Sequence, residues 1–263
     1  MNGTFKAVER WQSHQLRCPK DLDELLRGFR PLFAYHDHLL EGREIPLATV
    51  EEFFKTGAVS QFSGDPKDLM LLQGQRNCYE YLRERVLARD DLETSLVMEV
   101  HRILTSGTYT EPFYLVNGER PGELKKRDYV TAVNAVGAAA RDVGRELDHL
   151  VEEVSGYCGS ELLQVAAYFH CRFENIHPFA DGNGRVGRTL LNYWLMINDC
   201  PPMIIYEENR RTYYEALQAY DEQEELDLLN SFFEEQTVKT WARSMELNDS
   251  DAPQHKGLDL FMM

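Results

Sequence analysis

The chain has 263 residues, 43% of them hydrophobic, enough to bury a substantial core as one large domain or as a domain with a small appendage. Its 28 basic and 44 acidic residues leave a formal charge of −16, which argues against a general binder of nucleic acid or anionic membrane, so any phosphate ligand must be caught locally. Five scattered cysteines (Cys18, Cys78, Cys158, Cys171, Cys200) form no CxxC pair, and neither a signal peptide nor an apolar run of membrane-spanning length is read, so a reduced, cytoplasmic setting is expected.

Three-and-four spacing of Leu22, Leu25, Leu26, Phe29, Leu32, Phe33, His36, Leu39 and Leu40 predicts helices, the second ending at Glu41-Gly42. Thr49-Val50-Glu51-Glu52 reads as a capping box that opens a short helix. Asp65-Pro66 reads as an N-cap followed by a first-turn proline. A further helix is expected from about Asp91 to a stop at Gly107, with His101 beside its apolar stripe as a packed or surface histidine. Between Thr108 and Val130 the helical period fails, and Phe113-Tyr114-Leu115-Val116 among Pro112, Gly118, Pro121 and Gly122 predicts a β-hairpin. Residues 131–156 are read as an Ala-rich helix, and Ser160-Glu161 as the start of another. Beyond Thr189 come a helix closed by Pro201-Pro202, an extended piece at 204–206, a helix through Tyr213, Tyr214 and Leu217, a long one through Leu228 to Trp241, and a polar, frayed tail from Asn248.

Residues 177–188, His-Pro-Phe-Ala-Asp-Gly-Asn-Gly-Arg-Val-Gly-Arg, concentrate the chemistry. Gly182, Gly184 and Gly187 spell the dinucleotide pattern GxGxxG, and Gly182 to Thr189 approach the phosphate loop of P-loop NTPases except that Arg188 replaces the lysine. Both motifs require a strand immediately upstream, and here a helix stands there. The amides of Gly182, Asn183 and Gly184 ahead of a helix nevertheless suit an anion, and Arg185 and Arg188 lie on one helical face to add planar forks. Asp181 is the carboxylate placed to hold Mg²⁺ beside phosphates, and His177 is the group titrating near neutrality, the natural acceptor of a hydroxyl proton. Zinc on His170, His177 and Asp181 lacks a further ligand at a workable spacing.

Residues 177–188 resemble without mismatch the HxFx(D/E)GNGRxxR signature of the Fic (filamentation induced by cAMP) family. The resemblance extends through Ala166 to Phe173, through Pro201-Pro202 and Tyr213 to Leu217, and to Pro121-Gly122-Glu123-Leu124 at the edge of that family's flap, about residues 70 to 225 in all. It implies a mainly α fold, a helical bundle with a small β-hairpin flap, and transfer of AMP from ATP to a Ser, Thr or Tyr hydroxyl of a target protein with release of pyrophosphate. By position, His177 would be the base and Asp181 the Mg²⁺ ligand. Gly182, Asn183, Gly184 and Arg185 would hold phosphates, with Arg188 on the γ-phosphate. Tyr213 and Tyr214 would border the nucleoside, and a flap over about 112–130 would register the target by strand pairing. Asp221 stands where some relatives carry an Asn toward the base.

Many relatives also carry an inhibitory helix, (S/T)xxxE(G/N), whose Glu pairs with the second arginine. Glu41-Gly42 matches its end, with Asp37 in the Ser/Thr position; Ser231 to Gln236 is a second, less complete match. Residues 1–65 are therefore read as an amino-terminal helical segment with an inhibitory helix at about 30–42, 66–225 as the catalytic core, and 226–263 as a carboxy-terminal helix with a frayed tail. Expected partners are ATP and a protein substrate, with no nucleic acid and no membrane, and a homodimer is open. Removal of AMP from a modified protein, and nucleotide binding without turnover, stand as alternatives.

Overall fold

The computed structural model describes residues 3–131, 134, 135 and 137–251. It is mainly helical: α1 (Gly3–Gln12), α2 (Pro19–Leu25), α3 (Phe29–Leu40), α4 (Leu47–Thr56), α5 (Pro66–Ala88), α6 (Thr94–Thr105), α7 (Glu111–Leu115), α8 (Val143–Ser155), α9 (Leu162–Ile176), α10 (Asn183–Ile197), α11 (Arg210–Gln223) and α12 (Asp227–Asp251). The one strand pairing among the described residues is a two-residue antiparallel ladder, β1 (Val130–Thr131) with β2 (Asn134–Ala135).

The centre is α10. From Leu190 to Leu195 it is buried at every position, so it behaves as a core helix with no solvated stripe. It packs on α9, whose Phe169, Phe173 and Ile176 are fully buried, and α5, α6, α8 and α12 close around the pair. The first and last described helices meet where Trp11 of α1 packs edge-on to Trp241 of α12 at 5.8 Å. A smaller cluster of Ala34, Ile45, Val50, Phe53 and Leu72 seats α3 and α4 against α5. That cluster fixes α3, and with it the helix end at Glu41, over the start of α10.

Several local expectations hold. Asp65 caps α5 by accepting the Lys67 N–H at 2.9 Å, and Gly42 and Gly107 adopt positive φ at their helix ends. Others are corrected. The hairpin over 112–130 does not form: Pro112, with φ pre-set in the first turn, and Glu111 at the positive helix end fold Glu111–Leu115 into α7, overriding the β propensity of Phe113 to Val116. The helix expected from residue 131 begins only at Val143, because Gly137 turns at φ +75° and Ala138 donates its N–H to Ile176 O at 3.0 Å, away from any helical acceptor. Thr49 is not an N-cap. Pro46 takes the extended cap conformation and α4 starts at Leu47, which places Thr49 inside the first turn. The tail expected to fray from Asn248 continues α12 to Asp251, and the remainder lies outside the described residues.

Candidate active site

Helix α9 stops because His177 turns left-handed at φ 50°, ψ 63°, while its N–H still donates to Phe173 O at 3.0 Å. A non-glycine residue in that region costs about 1 kcal/mol or more, so its surroundings must hold it there. Three contacts do so. Lys125 N–H donates to Pro178 O at 2.9 Å, and Ala138 N–H donates to Ile176 O. Gly137 packs so closely that a Cβ there would lie 2.4 Å from His177 Cβ. The chain on either side of the β1–β2 turn is thus pinned to the two residues that flank His177.

The loop from Pro178 to Gly182 is closed by one side chain. The Asn183 amide accepts the Phe179 N–H and donates to the Phe179 carbonyl, both at 2.8 Å. The Phe179 ring, fully buried, stacks on His101 with centroids 3.7 Å apart and planes 4° from parallel. Gly122 N–H donates to His101 Nδ1 at 2.8 Å, which places the ring proton on Nε2, and Nε2 donates to Asp181 O at 3.1 Å. The Tyr109 hydroxyl lies 3.4 Å from the same carbonyl. Burial pushes the His101 ring down to about 3, so it is a neutral bridge that ties the loop to α6. Of the packed and surface positions open to His101 from the sequence, the structure gives it the packed one. Its hold on the Asp181 backbone was not legible, because its partners lie 21 and 80 residues away.

Gly182 starts α10 at φ +86°, and a Cβ there would meet Thr105 Cγ2 at 2.7 Å. The first amides of α10 have no intrahelical acceptor, so this end of the helix is a positive, donor-rich surface. Asp181 and Arg185 face a polar cavity of about 190 Å³ that they share with His38, Glu41, Arg43, Lys67 and Leu71. Arg185 is buried and donates to Leu104 O at 3.3 Å.

Arg188 is also buried, and it carries two carboxylates. Its Nε donates to Asp37 Oδ1 at 2.6 Å, and its Nη2 donates to Glu41 Oε1 at 2.5 Å. A Cβ on Gly184 would lie 2.8 Å from both Arg188 Nη1 and Glu41 Oε1, so the Glu41 carboxylate sits directly over the backbone of the glycine loop. Burial works to raise the Glu41 carboxyl, but the Arg188 guanidinium outweighs it and leaves it below its ordinary range. An isolated buried guanidinium would cost several kcal/mol, which these partners offset.

His177 is half-buried; burial first, and the Lys125 charge second, push its ring down to about 4. It is neutral at pH 7 and able to accept a proton. His170 does not approach it as a co-ligand. It is fully buried and bonded through Nε2 to the Tyr213 hydroxyl at 2.6 Å, and among the described residues no three His, Cys, Asp or Glu side chains converge on a metal position. Tyr213 is correspondingly a core residue, whereas Tyr214 is exposed and lies with its hydroxyl 3.4 Å from Leu40 O, at the end of α3. Asp221 accepts from Asn175 Nδ2 at 3.0 Å. Glu174, overlooked in the sequence, is pushed by burial up to about 7 and lies close enough to Arg188 for that charge to oppose the rise.

The comparisons with known proteins bear on this geometry. The chain is 30% identical over 196 residues to "Protein adenylyltransferase Fic" of Culex quinquefasciatus and 28% identical over 196 residues to the protein of that name in Aedes aegypti. Each alignment covers 72% of this chain and 36% of the relative, so the chain spans about a third of the length of these curated proteins. Its fold superposes with a TM-score of 0.78 on a Fic-domain-containing signalling protein of Bacteroides thetaiotaomicron, at 21% identity and over 94% of this chain and 97% of that one. It superposes with a TM-score of 0.77 on Fic-1 (residues 134–508) of C. elegans, at 21% identity and over 95% and 72% of the two chains. Residues 91–195 of this chain match the model of the Fic/DOC family.

Proposed function

We propose that this chain is a protein adenylyltransferase held in check by Glu41. Its curated relatives carry that activity in their names. The observation that carries the reading is a neutral His177 next to the donor-rich start of α10, with a carboxylate, Glu41, seated on the spot an anion would take. In the proposed reaction a Ser, Thr or Tyr hydroxyl of the target attacks the α-phosphorus of ATP. The new P–O bond forms as the bond to the bridging oxygen of the β-phosphate breaks, pyrophosphate leaves, and the hydroxyl proton passes to His177.

The amides of Gly182, Asn183 and Gly184 and the Arg185 guanidinium would receive phosphate oxygens. The Asn183 side chain is already committed to Phe179, so its contribution is its backbone. Asp181 faces the polar cavity with a single carboxylate, a donor set that suits Mg²⁺ shared with substrate phosphates better than an all-protein metal cage. Mg²⁺ held there would neutralise phosphate charge. Tyr214, exposed beside α3, is the nearer candidate of the tyrosine pair for the nucleoside, since Tyr213 is sealed in the core. The segment between Lys125 and Ala138, anchored around His177, would present the target backbone to the site.

With Glu41 on Arg188, the guanidinium that would take the γ-phosphate is occupied and like charge faces the triphosphate. Glu41 also borders the same cavity as Asp181, which keeps a second reading alive, hydrolysis of AMP from a modified protein with Glu41 orienting the water. One assay separates them. With ATP labelled at the α-phosphate and a protein lysate as acceptor, Glu41→Gly should transfer at least about tenfold more label than wild type and release pyrophosphate, and adding His177→Ala should abolish both. Equal or weaker labelling by Glu41→Gly would refute restraint by Glu41, and labelling that survives His177→Ala would remove it as the base.

A further inference from the structure

Arg188 is held by two carboxylates, one within α3 and one just past its end, that differ in burial and in their other partners. Asp37 lies within the helix, one turn before its end, with 1% of its side chain exposed. It is fixed from both sides: Oδ1 accepts from Arg188 Nε, and Oδ2 accepts from Gln75 Nε2 of α5 at 2.6 Å. Glu41 follows the last helical residue, its side chain is 31% exposed, and it borders an open polar cavity. Glu41 can swing away by rotating its side chain. Asp37 is buried and bonded to both α10 and α5.

The two also take different nitrogens. Asp37 occupies Nε, whereas Glu41 occupies a terminal nitrogen on the side that lies over Gly184. When Glu41 withdraws, Nε stays on Asp37, the guanidinium keeps its direction, and its terminal nitrogens are exposed to the glycine loop. Breaking a buried ion pair is costly when the remaining charge is stranded, and here it is not stranded. The position that resembles a Ser/Thr site in inhibitory helices is therefore filled by a group with a separate task.

We propose that Asp37 is a positioning residue, a resident counter-ion that holds Arg188 aimed at the γ-phosphate after Glu41 has released it. The inference rests on the adenylyltransferase reading above, and on Glu41 as its releasable partner. A second possibility, that Asp37 is another inhibitory carboxylate repelling the triphosphate, predicts the opposite sign.

The test is made in the Glu41→Gly background, with ATP and AMP affinities from calorimetry alongside labelling kinetics. Asp37→Asn, which keeps the shape and removes the charge, should weaken ATP about tenfold while AMP, which lacks the γ-phosphate, stays within about twofold. A residue that only stabilises the fold would weaken both alike. Equal loss for ATP and AMP, no change, or tighter ATP binding would overturn the proposal, the last in favour of a second inhibitor. Should Asp37→Asn not fold, Gln75→Met loosens Asp37 without touching Arg188 and should weaken ATP in the same sense by about threefold, with AMP again unaffected; a loss shared with AMP, or none, counts against the anchor. If Glu41→Gly labels no better than wild type, restraint by Glu41 fails by itself, while the ratio of ATP to AMP affinity still judges Asp37.

Discussion

The two ends of the first turn of α10 are held by different forces. The loop that carries His177 and Asp181 is fastened by neutral groups: the Asn183 amide, the His101 ring, the stacked Phe179, and backbone bonds from Lys125 and Ala138. Arg188, a turn further on, is fastened by charges delivered from 147 and 151 residues away in the sequence. Buried neutral hydrogen bonds have no competitor in solution, because neither water nor a phosphate can replace an amide locked between two backbone groups. An ion pair at the edge of a polar cavity does have one, since any anion that reaches Arg188 can take the place of Glu41. The geometry of the site is thus built from interactions that do not respond to ligand, and its availability from one that does.

If that division is right, breaking the neutral side should cost most. Asn183→Ala leaves the Phe179 N–H and carbonyl buried without partners, each worth about 1–3 kcal/mol. Labelling by the Glu41→Gly protein should fall at least about a hundredfold, and its urea midpoint should drop, with no change in the slope of the unfolding curve. Retained labelling would mean that the loop is held from elsewhere. His101→Phe is milder, because the stack on Phe179 survives while Gly122 N–H and Asp181 O each lose a partner. A loss of about tenfold in labelling and about 1–3 kcal/mol in stability is expected, read by initial rates and chemical denaturation.

These same contacts mark how far the sequence could be read. The motif and its carrying helix were legible because their signals are local: a helical period before Ile176, glycines at 182, 184 and 187, and a Glu-Gly pair at a helix end. What it could not supply was every partner that arrives through space. In the sequence Asp37 stands out only as a mismatch to a pattern, yet it is the more deeply buried of the two groups on Arg188. Gln75, which fixes Asp37 across 38 residues, carries no local signature at all. The described residues between Pro112 and Asp142 escape the sequence for a related reason. Their β-branched, aromatic and alanine side chains state a propensity, while their conformation is decided by Pro112, by Gly137 and by bonds to the loop around His177.

On the ionic side, Glu41→Gln retains a hydrogen-bonding oxygen for Arg188 and removes the negative charge. If charge is what the triphosphate competes against, this variant should label about three- to fivefold faster than wild type and stay below Glu41→Gly. Activation equal to that of Glu41→Gly would assign restraint wholly to charge, and none would assign it to the hydrogen bond and bulk. Added salt should narrow the gap between wild type and Glu41→Gln, since the cavity is open to ions.

The smallest effect expected is on the pH profile, and it reports on the neutral side again. With the ring pushed down to about 4 by burial and then by Lys125, His177 is already in its basic form over the whole physiological range. The Glu41→Gly protein should therefore label at a nearly constant rate from about pH 8 down to about pH 5, and lose activity only as His177 takes up a proton near 4. An inflection near the ordinary 6.5 would mean that the base is solvated, and that the loop does not hold it as described. Stability must be followed in parallel, because His101, His170 and His177 all have folded values below 6.5. Below 6.5 the unfolded chain binds protons that these rings refuse, so stability falls as the pH is lowered through that window. Glu174 works against this: raised from 4.5 to about 7, its contribution is lost as pH rises through 7 and is regained on acidification. His14, His36 and His38 are lowered as well, so the histidines outweigh this one carboxyl and leave a net loss in acid, and a fall in rate counts as titration of His177 only where thermal unfolding shows the protein still folded at the assay temperature.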